Sequence, residues 1–178
     1  LVKAVEEAHV PTVEPCQAIP DMRVPRVIPD ADAEGARAAA SPADAAREVG
    51  FVITMVPDTP DVEQVIAGGD GVLTTLRPGT IVVDMSSISP LATRRLASQV
   101  AARGGSMLDA PVSGGDVGAI NGTLSIMVGG DEAAFARAQP ILAGMGSPDR
   151  IVYIGASGAG QICKICNQIA IGGALAAV

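Results

Sequence analysis

The sequence predicts an α/β protein: a doubly wound, mostly parallel sheet followed by the start of a long helix. Three observations predict it. Apolar runs of strand length alternate with amphipathic stretches, the pattern of consecutive βα units. The apolar residues, 48% of 178, are almost all aliphatic, with one Tyr, two Phe and no Trp, which suits a sheet covered on both faces. Turn residues gather where the runs end, in "MVPDTP", "DMSSISP" and "DAPVSGGDVGAINGT". In such sheets ligands collect at the carboxyl ends of the strands.

Residues 1–33 have prolines every four or five positions over much of their length and no clear period, which defeats both a helix and a central strand. They are expected to be irregular, with "LVKA" at the start reading as the end of a helix. An α/β unit is expected over 34–155. "SPADAAREVG" reads as a short helix capped by Ser41, with Pro42 in its first turn. Residues 51–56 form a continuous apolar strand, followed by "TPDVEQVIAG" as a helix with a Thr cap. Residues 80–86 are the next strand, and a helix follows with Ser89 as cap and Pro90 at its start. Strands are expected over 106–112 and 123–130, then a helix broken near Pro140 and a short strand "RIVYIG". From residue 156 the chain enters the start of the long helix.

The net charge of −7 argues against nucleic acid or an anionic membrane as partner, since both need basic patches. A small anionic substrate needs only a local positive site. The sequence shows no signal peptide or spanning segment, so a cytoplasmic location is expected. Cys16, Cys163 and Cys166 make no disulfide framework. Cys163 and Cys166 have C-x-x-C spacing, but a zinc set would need Cys16 and the single His9, so no metal site is expected and both read as buried small apolar residues. One histidine also makes a Ser-His-Asp arrangement improbable. Residues 1–50 contain no G-x-G-x-x-G turn, and "GASGAG" at 155–160 matches that pattern only superficially.

Three features carry chemistry. Asp84 and Asp109 end strands, where an aspartate bonds nearby backbone groups or serves in a carboxylate pair. "SGGD" at 113–116 offers unshielded backbone N–H groups for an anion, or a tight turn needing positive φ. The third is the segment 155–178, which holds one charge, Lys164. On a helix, Gln161, Lys164, Asn167 and Gln168 share one face, with isoleucines around the other sides. So narrow a polar stripe points to a polar cavity, where desolvation lowers the lysine pKa toward the range useful for proton transfer. A lone snorkelling lysine is the alternative.

"FVITMVPDTPDVEQVI", "VVDMSSISP", "LDAPVSGGDVGAINGTLSIMVGGDEAAF" and "GAGQICKICNQI" resemble, in order and spacing, the β-hydroxyacid dehydrogenases. The resemblance covers about residues 34–178. It implies a Rossmann-like unit binding NAD or NADP, with the choice between them open. It also implies a small carboxylate-bearing aldehyde or hydroxyacid as substrate, and a homo-oligomer in the full-length family. By the same resemblance Lys164 is the catalytic proton donor, while Ser113, Gly114, Gly115 and Asn167 bind substrate. Met55, Val56 and Pro57 match the turn beside the cofactor, and Ser87 a hydroxyl near its nicotinamide end. The motifs are most similar to the branch reducing 2-hydroxy-3-oxopropanoate (tartronate semialdehyde) to glycerate. The 3-hydroxyisobutyrate branch, which usually ends the last motif in two asparagines, is the alternative; a non-catalytic remnant is another. Family members begin with a strand and glycine-rich turn and continue into an all-helical domain. This chain is therefore expected to lack that first turn and to stop inside the helix leading to that domain.

Overall fold

Phe51, Val52, Ile53 and Thr54 are all buried, as are Ile81, Val82, Val83 and Asp84, and such runs occur where both sheet faces are covered. The computed structural model, which describes residues 2–5 and 39–177, has that architecture. In chain order the elements are β1 (Val2–Val5), α1 (Pro42–Ala45), β2 (Phe51–Thr54), α2 (Thr59–Ala67) and β3 (Ile81–Asp84). Then come α3 (Pro90–Ala102), β4 (Ser106–Asp109), β5 (Val112–Ser113), α4 (Gly115–Ile120) and β6 (Leu124–Gly129). The last three are α5 (Glu132–Ala143), β7 (Gly146–Gly155) and α6 (Ala159–Ala176). The strands lie in the order β1-β2-β3-β4-β6-β5, with β7 also paired to β6. The β2–β3, β3–β4 and β6–β7 pairs are parallel; β1–β2, β4–β6 and β5–β6 are antiparallel.

Alternation along the strands divides the core between the two faces. Val52, Val82 and Met107 join Val62, Ile66 and Leu96 on one side. Phe51, Ile53, Val83 and Leu108 join Ala138 and Leu142 on the other. Each fully buried Leu, Ile or Val contributes about 1.5–3 kcal/mol. This aliphatic filling holds helices on both sides of a sheet that has almost no aromatic residues.

Several elements differ from the sequence expectation. Residues 2–5 are not a helix end but an antiparallel edge strand, with Val2 opposite Thr54 and Val5 opposite Phe51. β-Branched Val favours a strand, and the pairing covers an edge of β2. The rest of the expected irregular segment, with His9 and Cys16, lies outside the described residues. The expected strand over 106–112 divides into β4 and β5 at Pro111, which has no N–H for the ladder but whose carbonyl accepts from Met127 N. α5 runs through Pro140 rather than breaking there. Pro140 sits on the exposed face, where water can serve the carbonyl it leaves unpaired, while Ala134, Ala138 and Leu142 hold the buried face. The cap of α2 is Asp58, not Thr59: Asp58 and Asp61 form a reciprocal capping box. β7 is also longer than expected, starting at Gly146, and its Pro148 is tolerated on a strand that, among the described residues, pairs only with β6.

Candidate active site

β2, β3 and β4 end in register on Thr54, Asp84 and Asp109, all fully buried. A buried polar side chain must find partners, and these three find them in the turns beyond the strands. Thr54 Oγ1 donates to Asp84 Oδ1 at 2.8 Å, and Ser86 N donates to the same oxygen at 3.2 Å. Asp84 Oδ2 has no hydrogen-bond partner among the described residues. Burial pushes the Asp84 pKa up to about 6, against the lowering effect of the hydrogen bonds from Ser86 and Thr54. Ser86 Oγ accepts from Val56 N at 3.0 Å and so ties the turn after β2 to the turn after β3.

Asp109 instead holds a helix. Its Oδ1 accepts from Gly158 N at 2.8 Å and its Oδ2 from Gln161 N at 3.0 Å. Gly158, at the start of α6, has φ 87° and no capping side chain, so the carboxylate from β4 does the capping across the fold. Burial raises the Asp109 pKa, and the backbone N–H groups oppose the rise. The approach is close enough to require glycine. A Cβ on Gly160 would lie 2.8 Å from the Asp109 carbonyl oxygen, and one on Gly129 would lie 2.7 Å from its carboxylate. Within "GASGAG", Gly160 therefore serves the packing of α6 on the sheet, while Gly158 has positive φ and lies against Pro90 and Arg94 of α3.

α6 carries one charged side chain, Lys164. It is half-buried, and burial lowers its pKa below the ordinary lysine value. One turn earlier, Gln161 is 1% exposed; its Oε1 accepts from Ile88 N at 3.0 Å and its Nε2 donates to Ser86 O at 2.7 Å. Between α6 and the turns at 58 and 87–89 lies a cleft of about 430 Å³, lined by Asp58, Ser87, Gln161, Lys164 and Gln168 among others. That volume is in the range of small-molecule sites. Ile165 and Ile169 also line it, so the lining is mixed rather than polar throughout.

The cleft brings together Lys164 and Ser87 of the residues singled out in the sequence. Asn167 does not line it; its Nδ2 donates to Gln168 Oε1 at 3.1 Å, and Gln168 does line it. Met55 and Pro57 are exposed on the turn that reaches Asp58, whereas Val56 is buried between them. Ser113 ends β5 half-buried, and Gly114 and Gly115 are exposed with φ 139° and 62°, outside the cleft lining. Cys163 is half-buried and Cys166 exposed, against the expectation of two buried thiols. Sequence reasoning missed Asp58, although the spacing of Asp58 and Asp61 at the head of a helix was a usable capping signal. It also missed Asp109 as a cap, because the partner helix begins about fifty residues later and no local pattern marks the pair. Among the described residues no helix is long and apolar enough to cross a membrane.

Residues 21–155 match the family model described as the NAD binding domain of 6-phosphogluconate dehydrogenase, beginning before residue 34, where the resemblance in the sequence becomes legible. The chain is 52% identical over 121 residues to 2-hydroxy-3-oxopropionate reductase of Escherichia coli (strain K12), covering 68% of this chain and 41% of that protein. Mycobacterium tuberculosis 3-hydroxyisobutyrate dehydrogenase, solved with L-serine, superposes with a TM-score of 0.73 at 40% identity, over 79% of this chain and 47% of that one. Psf3, solved with NADP+ and 2-OPP, superposes with a TM-score of 0.75 at 30% identity, over 80% of this chain and 50% of that one. The chain spans less than half the length of the curated relatives it matches. With its strand order, its motifs and a family model matched over most of its length, the chain belongs to the NAD-binding domain family of the β-hydroxyacid dehydrogenases.

Proposed function

We propose that this chain is the cofactor-binding portion of an NAD(P)H-dependent reductase that converts 2-hydroxy-3-oxopropanoate to glycerate. The observation that carries the reading is Lys164, the one charge on α6, placed in the cleft beside Ser87 with its pKa lowered by burial. NAD(P)H, when bound, supplies hydride to the aldehyde carbon. Lys164 gives a proton from its ammonium group to the carbonyl oxygen, which completes the primary alcohol and leaves a neutral amine to be reprotonated from solvent. By the resemblance to the family, and although they do not line the cleft beside Lys164, the Ser113 hydroxyl and the backbone N–H groups of Gly114 and Gly115 hold the substrate carboxylate, and Asn167 orients the substrate. Gln168, which lines the cleft, shares that task. Exposed Met55 and Pro57, with Val56 fixed between them, suit the cofactor's side of the site; Ser87 suits its nicotinamide end. The same reading includes action in the cytoplasm on a small-molecule substrate and assembly of identical chains.

A second reading, oxidation of 3-hydroxyisobutyrate, is favoured by the similarity to the M. tuberculosis enzyme. Oxidation of NADH and NADPH with 2-hydroxy-3-oxopropanoate, set beside reduction of NAD+ and NADP+ with 3-hydroxyisobutyrate, separates the two. We expect the aldehyde to be turned over faster and Lys164→Ala to lower kcat by about 10²- to 10⁴-fold. No saturable NAD(P)H binding, or a rate indifferent to Lys164→Ala, overturns the catalytic reading and leaves a non-catalytic remnant.

A further inference from the structure

Gln161 has more partners than a lining residue needs. A fully buried glutamine is costly unless its amide is bonded, and this one is bonded at both ends to a single three-residue turn. Oε1 takes Ile88 N–H and Nε2 gives to Ser86 O, so the amide brackets Ser87 and leaves that hydroxyl residue exposed in the cleft. The backbone N–H of the same residue goes to Asp109 Oδ2. Gln161 is thus fastened to β4 through its main chain and to the turn after β3 through its side chain. Lys164 follows three residues later on the same helix and lines the same cleft.

We propose that Gln161 is a positioning residue: by clamping the first turn of α6 to the 86–88 turn, it holds Lys164 and Ser87 to one reaction centre. The proposal rests on the reading of Lys164 as proton donor. Gln161 touches neither hydride nor proton and acts through the placement of Lys164. Misplacing a reacting group by about 1 Å is enough to lower a rate on the order of 10²-fold. The charged groups around the clamp are Asp58 on the cleft lining, Asp109 beneath the first turn of α6, and Arg94 of α3, whose Nε donates to Ser157 O.

Two variants and one spectroscopic probe test this. Gln161→Met keeps the length and loses both hydrogen bonds. Gln161→Glu keeps the shape, and only its protonated carboxyl offers one donor and one acceptor as the amide does. Lys3 and Lys164 are the only lysines in the sequence, so isotope-labelled reductive methylation gives an assignable NMR titration of Lys164. In the unaltered chain Lys164 is expected to titrate below the ordinary lysine value. In Gln161→Met a loosened helix lets water reach the ammonium group, and its titration moves up by about half a unit or more. In the kinetic assay kcat is expected to fall about 10- to 100-fold, with KM for NAD(P)H changed less than about threefold. Gln161→Glu should regain kcat as the pH is lowered and its buried carboxyl takes up a proton. An unchanged Lys164 titration in Gln161→Met, with only a lower melting temperature, overturns the proposal in favour of packing alone. Failure of both variants to fold, judged by circular dichroism, overturns it as well, since the residue's task is then to hold the domain together. If the unaltered chain oxidises no NAD(P)H, the proposed function fails, while the titration still decides the role of Gln161.

Discussion

The carboxyl ends of β3 and β4 carry the same residue in register, Asp84 beside Asp109, and they do different things. Both carboxylates are fully buried and both have raised pKa values, with desolvation as the leading cause. At Asp109 each oxygen takes a backbone N–H from the entry to α6, so the carboxylate joins the sheet to the lysine-bearing helix. At Asp84 one oxygen takes two hydrogen bonds and the other takes none. Burial therefore does not decide what a strand-end carboxylate does; the number of partners for each oxygen does. Asp109 stabilises by capping the entry to α6, whereas Asp84 carries an ionisation penalty that the hydrogen bonds from Thr54 and Ser86 offset only in part.

The largest effect should come from breaking the β4 end. Asp109→Ala removes both acceptors and leaves the N–H groups of Gly158 and Gln161 buried and unpaired. At about 1–3 kcal/mol for each unsatisfied group, the loss should be about 2–6 kcal/mol in urea unfolding. Amide exchange should accelerate first in the opening turn of α6. A loss below about 1 kcal/mol would mean that packing alone seats the helix.

The β3 end should show its difference in pH dependence. Asp84 ionises near 3.8 in the unfolded chain and near 6 in the folded one. Between those values the folded chain keeps a proton that the unfolded chain has lost, so stability falls as pH rises through this window. The whole penalty, on the order of 3 kcal/mol, is present above about pH 6. Asp84→Asn cannot ionise and keeps a carbonyl oxygen for Thr54 Oγ1 and Ser86 N. Its stability should stay level across the window in which the unaltered chain declines, giving it a lead at about pH 8 that disappears below about pH 4. Parallel curves for the two chains would show that Asp84 is not ionising in that range.

This division was only partly legible in the sequence. The βα alternation, the cap at Ser41 and the isolation of Lys164 are local patterns, and the structure has each of them: Ser41 Oγ accepts from Asp44 N, and Lys164 lines the cleft. Ser89 stands at the N-cap position of α3 as expected, but its side chain makes no capping hydrogen bond. That Asp84 and Asp109 would bond backbone groups followed from their place at strand ends. Which backbone groups did not follow, because the partners of Asp109 belong to α6 and the partner of Gln161 belongs to the 86–88 turn, distant in sequence in both cases. The polar stripe of α6 was legible, but not that its first member would be sealed in while isoleucines 165 and 169 faced the cleft. Periodicity assigns residues to faces; it does not say which element covers each face.

The smallest effect should come from Ser86→Ala, and it separates the two ends most cleanly. Ser86 serves the β2–β3 side with its hydroxyl and the α6 side with its main chain: Oγ accepts from Val56 N, while its carbonyl accepts from Gln161 Nε2. Alanine deletes the first bond and keeps the second. Val56 N–H is then left buried without its acceptor, for a loss of about 1 kcal/mol. The Ser86 side chain also lowers the Asp84 pKa, so without its hydroxyl the folded-state pKa rises further. The decline in stability with pH should then extend to higher pH than in the unaltered chain, opposite in sense to Asp84→Asn. Amide exchange in the first turn of α6 should not change, because Asp109 and the Ser86 carbonyl remain in place. If protection there falls along with stability, the two strand ends form one network, and the clamp on Lys164 extends through the Ser86 hydroxyl to the turn after β2.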